Sequence, residues 1–312
     1  MLSRVANNLY WLGRYLERSE NLTRYMQVQY FSTLDAPLEN QLELALASIL
    51  NMAGLPVPSI DKINEADVLE SLALDDQEPS SIKSSVYSAR ENARGARDMI
   101  STELWQAINK YYRFINEYPV DYFRTRGLYE FTQNNLEYSA IVKSRIQYSM
   151  LHDEAWAFIK MGMHLESAVQ VIRMAQSKLN DIKKLREMKL AKSVESFQWG
   201  TLLKSAEGYD MCRRLYKSSP SRLNTMEFLL LNRNFPRSVS SNLEHLQAYH
   251  DEISLEKDPD KHSIDWKVGR MKEYFKYLTI EEIEDQPNDF LSKTLSYIYD
   301  LNVNLEKVYL NY

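Results

Sequence analysis

Segments of this 312-residue chain occur twice, in the same order and with the same punctuation. LYWLGRYLERSENLTRYM at 9–26 has a counterpart in FIKMGMHLESAVQVIRM at 158–174. Gly13, Leu16, Glu17 and Arg24 recur there as Gly162, Leu165, Glu166 and Arg173, an offset of 149. LALDDQEPSSIKSS (72–85) pairs with LLLNRNFPRSVSSN (229–242): Leu72, Leu74, Pro79, Ser81 and Ser84 return as Leu229, Leu231, Pro236, Ser238 and Ser241, an offset of 157. Phe131, Leu136, Tyr138 and Ile146 return as Phe290, Leu295, Tyr297 and Leu305, an offset of 159. One set of local rules must therefore work twice around a common core. That predicts two duplicated, pseudo-symmetric halves, residues 1–155 and 156–312, packed as one globular unit.

The halves are helical. Glycine is scarce, 8 residues where about 7% is typical, and no Asn-Gly or Asp-Gly hairpin pair occurs. Residues 3–34 read as one long helix on the 3-and-4 spacing of Val5, Leu9, Leu12, Leu16, Ser19 and Met26. A second helix spans 38–52, GLPVPS at 54–59 is a loop, and a short helix covers 66–73. Pro79 then opens a helix expected to run unbroken to Asn116, with Ala89, Ala93, Ala96 and Ala107 allowing a close neighbour. Further helices are expected at 123–151, 154–178, 197–216, 266–277 and 289–312, with Pro220 and Pro236 repeating the earlier loop-to-helix motif and a polar loop at 251–265. The fold class is an all-α bundle.

Composition excludes several functions. A net charge of −5 disfavours general nucleic-acid binding, and the basic residues Lys183–Lys192 are interrupted by acids, as on a solvated helix face. The single Cys212 builds neither a disulfide framework nor a thiolate metal site, and its helical context fits a buried, inert thiol. No apolar run approaches about 18 residues and the N-terminus is no signal peptide, so no membrane span and a cytoplasmic location are expected. The five histidines form neither HExxH nor Glu-x-x-His, and there is no phosphate-cradling glycine loop. Neither a metal nor a cofactor is expected.

Two constellations carry possible chemistry. Arg14, Glu17, Asn21 and Arg24 fall at i, i+3, i+7 and i+10, one polar stripe flanked by Leu12/Leu16 and by Trp11, Tyr15, Leu22 and Tyr25. Apolar flanks on both sides predict an interior helix whose charges line a seam or pocket. Structural ion pairing and a ligand site both remain open for this stripe. RENARGARD at 90–98 places Arg90, Arg94 and Arg97 at i, i+4 and i+7, with Glu91 beside them. Three guanidinium forks on one face repel unless a protein carboxylate such as Glu17 or Glu166, or an anionic ligand, lies between them. Both stripes are expected to meet in one cluster. Ser238 after Pro236, and Ser81 after Pro79, read as helix caps, since no histidine adjoins Ser238 to make it a nucleophile.

MLSRVANNLYWLGRYLERSENLTRYM resembles the bacterial alpha-E domain family, all-helical proteins with a Glu-Arg motif. The likeness continues through SSIKSSVYSARENARGARDMISTELWQAIN, DEAWAFIKMGMHLESA, FQWGTLLKSAEGYDMCRRLY and FLLLNRNFPRSV. On this chain the motif falls on Glu17 and Arg18, with Arg14 and Arg24 beside it. In the second copy Gly162 and Glu166 remain, but Met163 and Ser167 stand where arginines are expected. The resemblance implies an all-helical protein of unknown activity, encoded beside an ATP-grasp-type ligase and a transglutaminase-like protein. The leading expectation is an accessory or binding component of such a peptide-forming or peptide-modifying system, holding an anionic or peptide-like ligand at an Arg/Glu-lined site. The alternatives are an enzyme of that system using Glu17 and Glu166 as paired carboxylates on an amide, and a scaffold whose charges are all internally paired.

Overall fold

A computed structural model describes residues 1–35, 41–59, 62–187, 192–254, 260–261 and 263–310. Among them every regular element is helical. Two long helices form the axis: α1 (Ser3–Ser32) and α8 (Glu154–Glu187). From Leu12 to Met26, α1 is buried on nearly every face, so its polar stripe is interior, as its flanks predict. The remaining helices wrap this pair: α2 (Gln41–Ala53), α3 (Glu65–Leu74), α4 (Ile82–Gly95), α5 (Thr102–Asn116), the short α6 (Val120–Tyr122) and α7 (Leu128–Ser149). In the second half come α9 (Lys192–Ser205), α10 (Tyr209–Tyr216), α11 (Arg222–Leu230), α12 (Val239–Ile253), α13 (Ile264–Tyr277), α14 (Glu281–Glu284) and α15 (Pro287–Leu305).

The crossing of α1 over α8 is set by two glycines. A Cβ on Gly13 would lie 2.1 Å from the Ile159 carbonyl oxygen, and one on Gly162 would lie 2.0 Å from the Tyr10 carbonyl oxygen. The two backbones therefore touch, which no other residue type permits. Close approach here brings side chains of the adjoining turns, at positions 14, 18 and 166, into direct contact.

Three boundaries depart from the sequence reading. The helix expected from Pro79 to Asn116 is broken: α4 ends at Gly95, Arg97–Met99 form a 3-10 turn, and Ser101 caps α5 by accepting from Leu104 N–H at 3.1 Å. A Cβ on Gly95 would lie 2.2 Å from Asn8 Nδ2, so the residue that weakens the helix also admits α1. Helix 197–216 is split at Glu207 (φ 55°) and Gly208 into α9 and α10. α8 runs nine residues beyond the expected end at 178. Part of the expected loop 251–265, and the ends of helices expected at 38 and 312, lie outside the described residues.

Both serine caps have one geometry. Ser81 Oγ accepts from Ser84 N–H at 3.0 Å and donates to the Asp75 carbonyl at 2.5 Å. Ser238 Oγ accepts from Ser241 N–H at 3.0 Å and donates to the Asn232 carbonyl at 2.5 Å. Cys212 is buried, and burial pushes its thiol up to about 11, as for an inert thiol. No described helix is long and apolar enough to cross a membrane.

Candidate functional site

Glu17 and Arg18 are consecutive on α1, hence about 100° apart around it, and they point into two different polar clusters. Arg18 faces Glu166 of α8. Its Nε donates to Glu166 Oε1 at 2.9 Å and its Nη2 to Oε2 at 3.3 Å. Arg14 Nε donates to Glu166 Oε2 at 2.8 Å, while its Nη1 donates to Asn302 Oδ1 at 2.7 Å. Tyr10 Oη donates to that same Asn302 oxygen at 2.5 Å, and Gln170 Nε2 donates to Glu166 Oε1 at 2.7 Å. Glu166 is 1% exposed. Burial alone would raise its pKa, but the charges of Arg18 and Arg14 outweigh burial and hold the carboxyl well below the usual range.

Arg18 also lines a cavity of about 210 Å³. Its other polar walls are Arg173, Gln170, Ser80 and the backbone of Gly54, with Leu22 and Met52 at the apolar side. Arg173 donates to Tyr299 Oη at 2.9 Å. Gly54 adopts φ +82°, a backbone conformation that suits glycine. On this side of the molecule Arg14 and Arg18 share one carboxylate, Glu166, while Arg173 faces the same cavity as Arg18 and pairs with no carboxylate among the described residues.

Glu17 belongs to the other cluster. It pairs with Lys143 of α7 and accepts from Asn21 Nδ2 at 3.0 Å. Lys143 also lies 2.6 Å from Glu20 Oε2, and Glu20 accepts from Arg24 and Arg237 at 2.7 Å each. Arg24 and Arg237 both reach Glu207, at 3.1 and 2.6 Å. Three carboxylates thus meet three cations in direct ion pairs, with Arg24 Nη1 left buried without a hydrogen-bond partner. Glu20 is held well below the usual carboxylate range, with Lys143, Arg237 and Arg24 overcoming its burial. Glu17 and Glu166 share no hydrogen-bonding or ion-pair partner among the described residues.

The α4 arginines do not join either cluster. Arg90 donates to Asn109 Oδ1 at 2.8 Å and Glu91 Oε1 at 2.7 Å, with its guanidinium 4.7 Å from the Tyr112 ring centroid. Arg94 is exposed and pairs with Glu91. Arg97 donates to the Ile100 carbonyl at 3.1 Å. The single cluster expected from the sequence is therefore corrected. α4 turns its small residues, Ala89 and Ala93, inward, which sends Arg90 and Arg94 away, and the break at Gly95 removes Arg97 from their face.

Sequence reasoning left Arg173, Gln170, Lys143, Arg237 and Asn302 out of the site, and read Glu20 as the helical partner of Arg24. Arg173 was legible as the repeat partner of Arg24. Lys143 and Asn302 carried no local signal, because they reach the clusters only through the packing of α7 and α15.

A family model for "a predicted alpha-helical domain with a conserved ER motif" matches residues 1–310. The chain belongs to the alpha-E family. Its only Glu-Arg dipeptide is Glu17–Arg18, the pair that divides between the two clusters. Uncharacterised proteins of Mycobacterium bovis and Mycobacterium tuberculosis are 25% identical over 264 residues, covering 78% of this chain. This alpha-E chain spans 29% of the length of those relatives. No solved structure matches it.

Proposed function

We propose that the cavity beside Arg18 and Arg173 binds an anionic group, a carboxylate of a peptide-like ligand, and that the protein is a binding component rather than a catalyst. The observation that carries this reading is the imbalance of charge: Arg18 and Arg173 line the cavity, Arg18 shares its one carboxylate, Glu166, with Arg14, and Arg173 is paired with no carboxylate among the described residues. Desolvated guanidinium groups without a full set of carboxylates favour an incoming anion, and two forks suit a carboxylate's geometry. The cluster around Glu17, with its charges matched three against three, is read as structural. A role for Glu166 as a proton shuttle is not favoured, because Arg14, Arg18 and Gln170 occupy its oxygens and keep it ionised.

The partner system is a proposal resting on family resemblance: an ATP-grasp-type ligase and a transglutaminase-like protein. That the matching region is part of a much longer chain in the mycobacterial relatives supports a module acting beside other polypeptide. The duplication of residues 1–155 in 156–312 is likewise proposed, supported by the matched serine caps and the reciprocal contacts of Gly13 and Gly162.

Triglutamate and inorganic phosphate serve as probes in thermal-shift and calorimetric titrations. Saturable triglutamate binding by the wild type, lost in Arg173→Gln with an unchanged ligand-free melting point, is the expected result. Binding that is absent in the wild type, or intact in Arg173→Gln, overturns the site. Pull-down of the neighbouring ligase with and without ATP tests the partner separately.

A further inference from the structure

α12 packs against α13, and His250 in the last turn of α12 is fully buried. Its two ring nitrogens have different surroundings. Nε2 lies 3.1 Å from Tyr309 Oη. Nδ1 is buried without a hydrogen-bond partner, although Asp265 Oδ1, from the first turn of α13, is only 3.4 Å away. A neutral imidazole has one N–H and one lone pair. With Nε2–H donated to Tyr309, the Nδ1 lone pair confronts a carboxylate oxygen, an arrangement that a cation between them relieves. Asp251, the residue after His250, brings a third oxygen. One ligand atom each from His250, Asp251 and Asp265 lie within 4.8 Å of one another.

We propose that His250 Nδ1 and one carboxylate oxygen each of Asp251 and Asp265 ligate a divalent first-row transition ion of the zinc or manganese type. Two ligand atoms about 2.1 Å from a tetrahedral ion sit roughly 3.4 Å apart. The His250–Asp265 separation is already 3.4 Å. Asp251 is exposed, so its side chain is free to close the remaining gap, and its open side leaves coordination positions to water. Two carboxylates balance the dication, and imidazole with carboxylate suits zinc or manganese. Tyr309, accepting Nε2–H, is the positioning residue that fixes the tautomer. Sequence spacing hides this triad, since Asp265 follows His250 by 15 positions across an interhelical connection.

The test is calorimetric titration of the EDTA-stripped full chain with zinc chloride and with manganese chloride. One saturable site is expected for at least one ion, with affinity falling at least about tenfold in Asp251→Asn and in Asp265→Asn, and about 10- to 100-fold in Tyr309→Phe. Asp251→Asn alters an exposed side chain, so its metal-free melting point should equal that of the wild type, which separates lost ligation from lost folding. The proposal fails if neither ion binds the wild type saturably. It fails equally if Asp251→Asn and Asp265→Asn both bind as the wild type does. That pattern would move the ion elsewhere, for instance to the parallel rings of His164 and His245, whose centroids are 4.8 Å apart.

Discussion

Gly162→Ala tests the element on which both polar clusters depend. The added Cβ would stand 2.0 Å from the Tyr10 carbonyl oxygen and 3.3 Å from the Arg14 backbone nitrogen. Restoring ordinary contact near 3.5 Å requires α1 and α8 to part by more than about 1 Å. The obstacle is a backbone carbonyl, which cannot rotate aside as a side chain would. Overpacking of this kind costs about 1–3 kcal/mol, and a rigid obstacle places it at the top of that range. One turn along, Glu166 holds Arg14 and Arg18 at 2.8 and 2.9 Å. Lengthening these charge-assisted bonds adds a part of the roughly 1.5–3 kcal/mol each is worth. The expected loss is about 3–5 kcal/mol, or roughly 5–8 °C in melting temperature for a chain of this size. Circular dichroism melts of wild type and variant measure it. Gly269→Ala is the matched control: it also lies within a helix, but its nearest contact is the flexible Gln247 amide at 3.4 Å. That substitution should be neutral or stabilise by up to about 1 kcal/mol through helix propensity. A Gly162→Ala melt within about 2 °C of the wild type would refute the backbone-contact account of the crossing.

Other perturbations follow from the same geometry. Glu166→Gln strands Arg14 and Arg18 in the interior and should destabilise by about 3–5 kcal/mol at neutral pH. Because the folded Glu166 pKa lies below its unfolded value near 4.5, its stabilisation is full above that pH and fades as the pH falls below it, so wild type and variant should converge in acid. Burial, with Lys160 nearby, depresses His164 to about 3 from 6.5. The unfolded chain therefore binds the extra proton between those values, and stability should decline as pH drops from about 6.5 towards 3, less steeply in His164→Gln; equal slopes in denaturant titrations would count against it. Ser81→Ala and Ser238→Ala each remove a cap of identical geometry and should each cost about 0.5–2 kcal/mol by urea unfolding.

The amino-acid sequence by itself determined the helical class, the interior position of α1 and the two serine caps. These follow from local quantities: the 3.6-residue period, apolar residues flanking a polar stripe on both sides, and a hydroxyl placed to receive an orphan N–H. Gly13 and Gly162 were visible as a repeated pair, but only the packed helices revealed that each meets the other's backbone. Which charges face each other was decided by tertiary structure alone. Arg90 and Arg94 lie on a helix that packs directly against α1, yet Ala89 and Ala93 take the inward face and turn them outward, and Gly95 ends the helix before Arg97. Glu17 and Arg18 are neighbours in sequence and strangers in space, one neutralised by Lys143 of α7, the other pairing with Glu166 of α8. Sequence spacing fixes where a side chain leaves its own helix. The partner it finds depends on the rotation and crossing of a second helix, set by the sum of many apolar contacts distant in the chain.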